Sequence, residues 1–439
     1  MKQSSVRDCR AWSRDLTAAP TLAGVCQAIV DCPHRTAPTR AWGIPQIRTT
    51  DIKNGRLDLQ GAKRVSEETY REWIVRAEPQ AGDLILAREA PVGEVGIVPP
   101  DHRVCQGQRT VLLRPDPHQV VPRYLLYLML TPGMRKRMLA LAEGSTTPHL
   151  NVADVRRLRL PELPPIERQR RVADLLGALD DKIELNGRMN ETLEASARAL
   201  FKSWFVDFDP IRARMEGRDP FGMSAATASQ FPDSLDESAL GEIPRRWTIG
   251  SVRDLVSLSR ESVDPADSPA EVFDHFSIPA FDDGRVPDAE QGSKIRSRKF
   301  VLGPGVVLLS KLNPRLPRVW LPFPSPDRRS IASTEFLVAV ARLPFSREYV
   351  YSIFRSDEFI ERFSGLVTGT SGSHQRVQSD DFLDMPVVLP DTSVVEVFTS
   401  MARLLFEKVA ADTRESQSLA ATRDTLLPHL ISGDARDSD

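Results

Sequence analysis

Residues Val172, Leu176, Leu179, Ile183, Asn186, Asn190, Leu193, Ala197, Leu200 and Trp204 follow one another at steps that alternate strictly between four and three. Between 167 and 205 this makes a heptad seam of more than four repeats, the pattern of a helix zipped along one side to another helix. At 1.5 Å per residue such a helix is about 60 Å long. Asn186 and Asn190 interrupt the middle of the seam. An amide buried in a seam costs stability but fixes register and partner, so this helix needs one particular mate. The mate lies in the same chain. Adding 226 to each position gives Phe398, Ala402, Leu405, Val409, Asp412, Ser416, Leu419, Arg423, Leu426 and Leu430. The ends are again mostly apolar and a polar pair again sits in the middle. Antiparallel pairing therefore sets polar middle against polar middle and apolar end against apolar end.

The repeat extends upstream. Tyr124-Leu125-Leu126-Tyr127 is matched 225 positions later by Tyr349-Val350-Tyr351-Ser352. Gly144-Ser145-Thr146-Thr147-Pro148-His149 is matched at the same offset by Gly369-Thr370-Ser371-Gly372-Ser373-His374. Gly82-Asp83-Leu84-Ile85-Leu86-Ala87-Arg88 resembles Gly305-Val306-Val307-Leu308-Leu309-Ser310-Lys311. Several blocks at nearly one offset indicate a tandem duplication. The expected class is α+β: two tandem mixed α/β domains separated by two long helices that form an antiparallel coiled coil, an internal pseudo-repeat. The expected boundaries are 1–160 for the first domain, 161–206 for the central helix and 207–239 for a linker. They continue as 240–391 for the second domain, 392–433 for the C-terminal helix and 434–439 for a disordered tail.

Within the first domain, Lys53-Asn54-Gly55-Arg56 reads as a hairpin turn, with Asn-Gly as its signal. Short apolar runs at 82–87, 92–98 and 110–113 read as strands, 122–130 and 133–142 as helices, and 155–160 as a closing strand. In the second domain, strands are expected near 306–309, 319–322, 335–340 and 385–390, with helical patches at 349–354 and 358–363. The second long helix is expected at 393–430. The segment 207–247 has several Pro, Gly and Ser residues and little periodicity, so it reads as a linker with some fixed contacts.

With a net charge of −2 there is no global basic field, and any nucleic-acid contact must come from local patches. Four cysteines in 439 residues make no disulfide framework and suit a reducing compartment. No apolar run approaches the roughly 20 residues of a membrane span, so the expectation is a soluble, cytoplasmic protein. The chain carries no phosphate-binding Gly-x4-Gly-Lys-Ser/Thr loop. Neither Pro99-Pro100 nor Pro164-Pro165 has the neighbours an amino-methyltransferase loop needs, no Pro-Asp is followed at short range by a nuclease-type acid-x-Lys set (Asp51-Ile52-Lys53 has the second half alone), and no nucleophile triad is readable. Cys26, Cys32 and His34 fit no standard zinc spacing. No catalytic residue and no metal ligand is therefore assigned.

The candidate DNA-binding residues come from the repeat. Small hydroxyl residues let backbone N–H groups and hydroxyls approach phosphates closely, which points to Ser145, Thr146, Thr147 and Ser373. His149 and His374 close these loops and either contact DNA or cap the following element. Arg88 and Lys311 end equivalent apolar strands. Lys311, Arg315 and Arg318 cluster in sequence, as do Arg296, Arg298 and Lys299. A solvated face is the competing explanation for any one of these cations, and the set is more persuasive than any member.

Leu160-Pro161-x-Leu163-Pro164-Pro165-Ile166-Glu167-Arg168-Gln169 leads into Leu176-x-x-Leu179-Asp180-Asp181-Lys182-Ile183-Glu184-Leu185-Asn186, then Ala199-Leu200-Phe201-Lys202-Ser203-Trp204-Phe205-Val206-Asp207-Phe208-Asp209-Pro210. This resembles the central conserved region of the specificity subunits of type I restriction-modification systems. Leu426-Leu427-Pro428-His429-Leu430-Ile431-Ser432-Gly433 is similar to the family's C-terminal ending. The opening Leu240-Gly241-x-Ile243-Pro244 has no clean counterpart before Leu22, which is a departure from the family pattern. The resemblance implies two target recognition domains, each reading one part of a split, asymmetric sequence in double-stranded DNA, and a helix pair that acts as a ruler. It implies docking of two modification subunits that bind S-adenosylmethionine and methylate adenine, joined by restriction subunits that use ATP and Mg²⁺. The chain itself is then non-catalytic and binds no cofactor. The docking and coiled-coil residues would be Ile183, Asn186, Asn190, Leu193, Leu200, Trp204, Phe205, Leu405, Val409 and Leu426. The rival functions are a structural DNA-bridging adaptor without a methyltransferase partner and a self-contained nuclease.

Overall fold

The computed structural model describes residues 19–144, 148–368 and 375–432. Ser145, Thr146, Thr147, Ser373, His374 and the tail 434–439 lie outside the described residues. The chain divides into two compact units, Met1–Ile183 with Gln417–Asp439, and Glu184–Ser416.

In the first unit, four antiparallel strands lie in the order Cys26–Asp31, Thr110–Pro115, Leu84–Ala87, Val95–Ile97. Leu84–Ala87 is buried at every position. Side chains alternate across a sheet, so a strand covered on both faces must be apolar throughout. Leu84 and Leu86 share a core with Tyr124, Leu125 and Leu128 of the helix Pro122–Leu130. Ile85 and Ala87 share the opposite core with Ile47, Ile52 and Val98. The Asn-Gly hairpin joins Ile52–Lys53 to Arg56–Leu57, with Asn54 at φ 49° and Gly55 at φ 85°, the two left-handed residues a tight hairpin turn requires.

The expected closing strand at 155–160 is corrected. Val152–Arg157 is a helix, followed by a single bridge between Arg159 and Thr21. Val155 and Leu158 are both buried, three positions apart, which is the spacing of a helical face. Asp154 in the first turn and Arg156 and Arg157 in the last suit the helix dipole. The helix precedes the strand position here as Ser379–Leu383 precedes Pro386–Leu389 in the second unit.

The second unit repeats the sheet in the order Val256–Ser259, Phe336–Ala341, Val306–Ser310, Val319–Trp320, again antiparallel. Val306–Ser310 is buried throughout. Its residues again alternate between two cores, Val307 and Leu309 with Tyr349 and Val350, and Val306 and Leu308 with Phe276 and Trp320. A second sheet of five strands has no counterpart in the sequence reading. It contains a parallel pairing of Val272–Phe276 with Ser330–Ala332, as Ile44–Ile47 pairs parallel with Cys105–Gln106 in the first unit. The segment expected as a linker carries short helices at Asp209–Met215 and Ala225–Ala228 and a hairpin of Leu235–Ser238 with Gly241–Pro244. It is anchored by aromatic packing. The Phe231 ring stands edge-on to Trp204 at 5.0 Å, and Trp247 stacks on Phe205 at 5.8 Å.

The long helices are Ile166–Phe205 and Thr392–Ser432, of 40 and 41 residues. None of the seam positions read from the sequence is exposed. Each unit holds a stretch of both helices, running antiparallel. In the first unit, Val172 and Leu176 share a core with Leu427 and Ile431. In the second, Asn186 meets Ser416, Asn190 meets Thr413, and Phe201 meets Phe398, so one number falls as the other rises.

Candidate nucleic-acid interface

Arg88 and Lys311 occupy the same node in the two domains. The Arg88 N–H donates to the Arg109 carbonyl at 2.8 Å, and the Lys311 N–H to the Glu335 carbonyl at 3.0 Å. Their own carbonyls accept from Leu150 N at 2.9 Å and Val377 N at 3.1 Å. Isolated bridges tie Glu89 to His149 and Leu312 to Arg376. In each domain the chain leaving the strand is thus fastened to the segment that follows the small-residue loop. The chain then turns through the left-handed region at Ala90 (φ 45°) and Asn313 (φ 49°), each followed by a proline.

The side chains at this node differ in what they offer a ligand. The Arg88 side chain is 14% exposed and is held by Asp31 at 3.1 Å and by the Leu150 carbonyl at 3.4 Å. Arg318 is 13% exposed and makes a two-pronged pair with Asp282 at 2.7 and 2.9 Å. Both charges are already neutralised within the fold. Lys311 is half-buried near Glu335. Arg376 holds the Glu335 carboxyl below its ordinary range through hydrogen bonds of 2.9 and 3.0 Å, burial opposes this, and Lys311 adds to it. Arg296, Arg298 and Arg315 are exposed, Arg298 donating to the Ser262 hydroxyl at 3.3 Å. Lys299 is buried and donates to Ser297, and burial lowers its pKa. His149 is half-buried, and its backbone exchanges hydrogen bonds of 2.9 and 2.8 Å with Glu143.

The helix pair is fastened at its polar centre. The Asn186 side-chain amide donates to the Asp412 carbonyl at 3.3 Å, the Glu415 carboxylate at 2.8 Å and the Ser416 hydroxyl at 3.2 Å. Among the described residues, Asn190 makes one such bond, to the Thr413 hydroxyl at 3.3 Å, and its side-chain oxygen is buried without a partner. Trp204 and Phe205 are buried against Phe398, and Leu200 and Leu405 pack on the same core. Leu426 packs on the core of the first unit. Ile183, Leu193 and Val409 are half-buried along the seam.

Two carboxylates of the first long helix were not singled out by the sequence reading. Asp180 accepts from the Tyr127 hydroxyl at 2.6 Å and from Arg423 at 2.7 Å, and its backbone carbonyl accepts from Arg56. Glu194 takes Arg285 at 2.9 Å and Arg355 at 2.7 Å, and Arg355 also donates to the Tyr351 hydroxyl at 2.8 Å. Burial alone would lower the pKa of Arg423 and of Arg355, but the facing groups outweigh it and hold both raised. The Tyr127 phenol is pushed well above its ordinary range, first by burial and then by its bond to Asp180. One sequence signal pointed here: Arg423 stands in an otherwise apolar stretch of the second seam, and a charge in that place needs a countercharge.

Among the described residues, no group of three or more His, Cys, Asp or Glu is placed to hold a metal ion, and no helix is long and apolar enough to cross a membrane. The profile of the type I restriction modification DNA specificity domain matches residues 43–195. The type I restriction enzyme MjaIX specificity subunit of Methanocaldococcus jannaschii is 26% identical over 411 residues, covering 90% of this chain and 88% of that protein. The type I restriction enzyme HindI specificity subunit of Haemophilus influenzae is 24% identical over 378 residues, covering 74% of this chain and 80% of that one. A crystal structure of the type I restriction-modification S subunit from M. genitalium superposes with a TM-score of 0.55 over 94% of this chain and 95% of that chain. At 13% identity, that likeness is one of fold.

Proposed function

This chain belongs to the specificity subunits of type I restriction-modification systems, and on that premise we propose that it supplies the DNA address of such a complex and no chemistry of its own. Each domain reads one half of a split, asymmetric target. The reading edge is the strand-end turn and the segment fastened beside it, at Arg88 and His149 in the first domain and at Lys311 and Arg376 in the second. Exposed cations such as Arg298 and Arg315 hold phosphates, which positions the domain, while contacts to base edges specify sequence. The helix pair sets the gap between the two half-targets and docks two modification subunits. Those subunits bind S-adenosylmethionine and methylate adenine, and restriction subunits that use ATP and Mg²⁺ join them in the cytoplasm.

The observation that carries this reading is the duplication. The same four-strand order occurs twice, with equivalent hydrogen bonds at Arg88 and Lys311, and each copy packs on one stretch of an antiparallel helix pair. A device built twice in tandem and joined by antiparallel helices suits a target read in two separated parts. The test is co-expression with a modification subunit. A complex of one copy of this chain to two of the partner, methylating a bipartite sequence, is expected. Exchange of residues 240–391 for those of a relative should change one half of the target only. Methylation or cutting of DNA by the pure chain, given S-adenosylmethionine, ATP and Mg²⁺, would sink the proposal.

A further inference from the structure

We propose that Asp180 and Glu194 are positioning residues that lock each recognition domain onto its own stretch of the helix pair and so sharpen the choice of gap length between the two half-targets. This rests on the bipartite reading given above. Asp180 is 9% exposed, and both its carboxylate oxygens and its carbonyl are engaged. The three partners come from three elements: Tyr127 from the helix Pro122–Leu130, Arg56 from the Asn-Gly hairpin, and Arg423 from the second long helix. One residue therefore joins the first domain to both long helices at once. In the second unit Glu194 ties the domain to the first long helix. It gathers Arg285, which follows the short helix Ile278–Asp282, and Arg355, which caps the helix Arg347–Phe354. Pro122–Leu130 and Arg347–Phe354 are the helices that correspond through the Tyr124 and Tyr349 repeat. The same type of contact thus recurs in both copies.

The chemistry of these contacts suits positioning. Apolar packing is non-directional and tolerates sliding and tilting. Hydrogen bonds to ionised groups are short and angle-dependent, so they fix orientation as well as distance. Removing the acid leaves Arg423 to the exposed Asp424 and Arg355 to the Tyr351 hydroxyl, so the neighbouring side chains re-open toward water. The surrounding core, which includes Val172, Leu176 and Leu427 in the first unit, keeps the domain attached while its angle loosens. Each base pair added to a gap shifts a half-target along the duplex by about 3.4 Å and rotates it by roughly a tenth of a turn. A domain with a fixed angle refuses that change, and a loosened one follows it.

The experiment uses the complete modification complex and a DNA library in which the two half-targets are separated by the preferred gap and by up to three base pairs more or less. The wild type should methylate one gap strongly. Asp180→Asn and Glu194→Gln should each raise methylation at gaps one base pair away by about tenfold relative to the preferred gap, the scale of one lost coupling between contacting groups. The bases recognised within each half should stay the same. Glu191→Gln, exposed on the same helix, should behave as wild type. Should Asp180→Asn fail to assemble, Tyr127→Phe and Arg355→Lys weaken the two locks with less damage, and each should broaden the gap preference in the same sense. Unchanged gap preference in folded, active Tyr127→Phe and Arg355→Lys complexes would overturn the proposal. A wild-type complex with no two-part target would instead remove the functional reading beneath it.

Discussion

Replacing the two mid-seam asparagines by leucine should move stability in opposite directions. Asn190 gives one neutral hydrogen bond, at 3.3 Å, to a Thr413 hydroxyl that already donates to the Val409 carbonyl at 2.7 Å. Its own oxygen is buried without a partner among the described residues. Losing the bond costs about 1 kcal/mol, and relieving the orphaned acceptor returns about 1–3 kcal/mol. Asn190→Leu should therefore stabilise the chain by about 1–2 kcal/mol once part of the leucine is buried. Asn186 is buried and donates to three acceptors, one of them the Glu415 carboxylate. Their loss costs about 3–5 kcal/mol, of which burying leucine returns about 2 kcal/mol. Asn186→Leu should thus destabilise by about 2 kcal/mol, although both changes make the seam more apolar. Urea unfolding of the full-length chain, followed by far-ultraviolet circular dichroism, compares the midpoints. Stabilisation by both substitutions would refute the reasoning, because apolar content and not hydrogen-bond satisfaction would then govern the seam.

Arg315→Ala should weaken DNA binding evenly across sequences and lower the slope of log K against log salt by about one ion, measured by fluorescence anisotropy. Arg88→Ala should instead destabilise the first domain by about 1–3 kcal/mol in a thermal melt, since Asp31 keeps the exposed His34 but loses its buried partner. Tyr127 has a raised folded pKa, so the stability tied to its neutral phenol is complete below the unfolded value near 10 and is lost as pH rises beyond it. Tyr127→Phe should flatten that alkaline loss in unfolding curves taken at increasing pH. Adding one heptad to both long helices, about 10 Å, should lengthen the preferred gap by about three base pairs, read by mapping methylated sites.

The two long helices and the duplication were legible in the chain itself because both are periodic signals. A seam repeats every seven residues, and its polar interruption at Asn186 and Asn190 reappears 226 positions on at Asp412 and Ser416, so register and partner follow by counting. Apolar runs bounded by turn residues marked the central sheet strands for the same local reason. The run at 155–160 reads as a strand but begins as a helix, because a short apolar run does not separate a helical turn from a strand until its neighbours are known. The five-stranded sheet stayed hidden because its strands are short and one pairing is parallel, joining Val272–Phe276 to Ser330–Ala332 across a long intervening segment. Which cations remain available was likewise decided only in three dimensions. Arg88 is claimed by Asp31 and Arg318 by Asp282, while Arg315, beside Arg318 in sequence, stays exposed. Asp180 and Glu194 acquire their partners in the same way, from elements as distant in sequence as Arg423 and Arg285. An ion pair depends on distance in space, and chain order constrains that distance only between residues that share one helix or one hairpin.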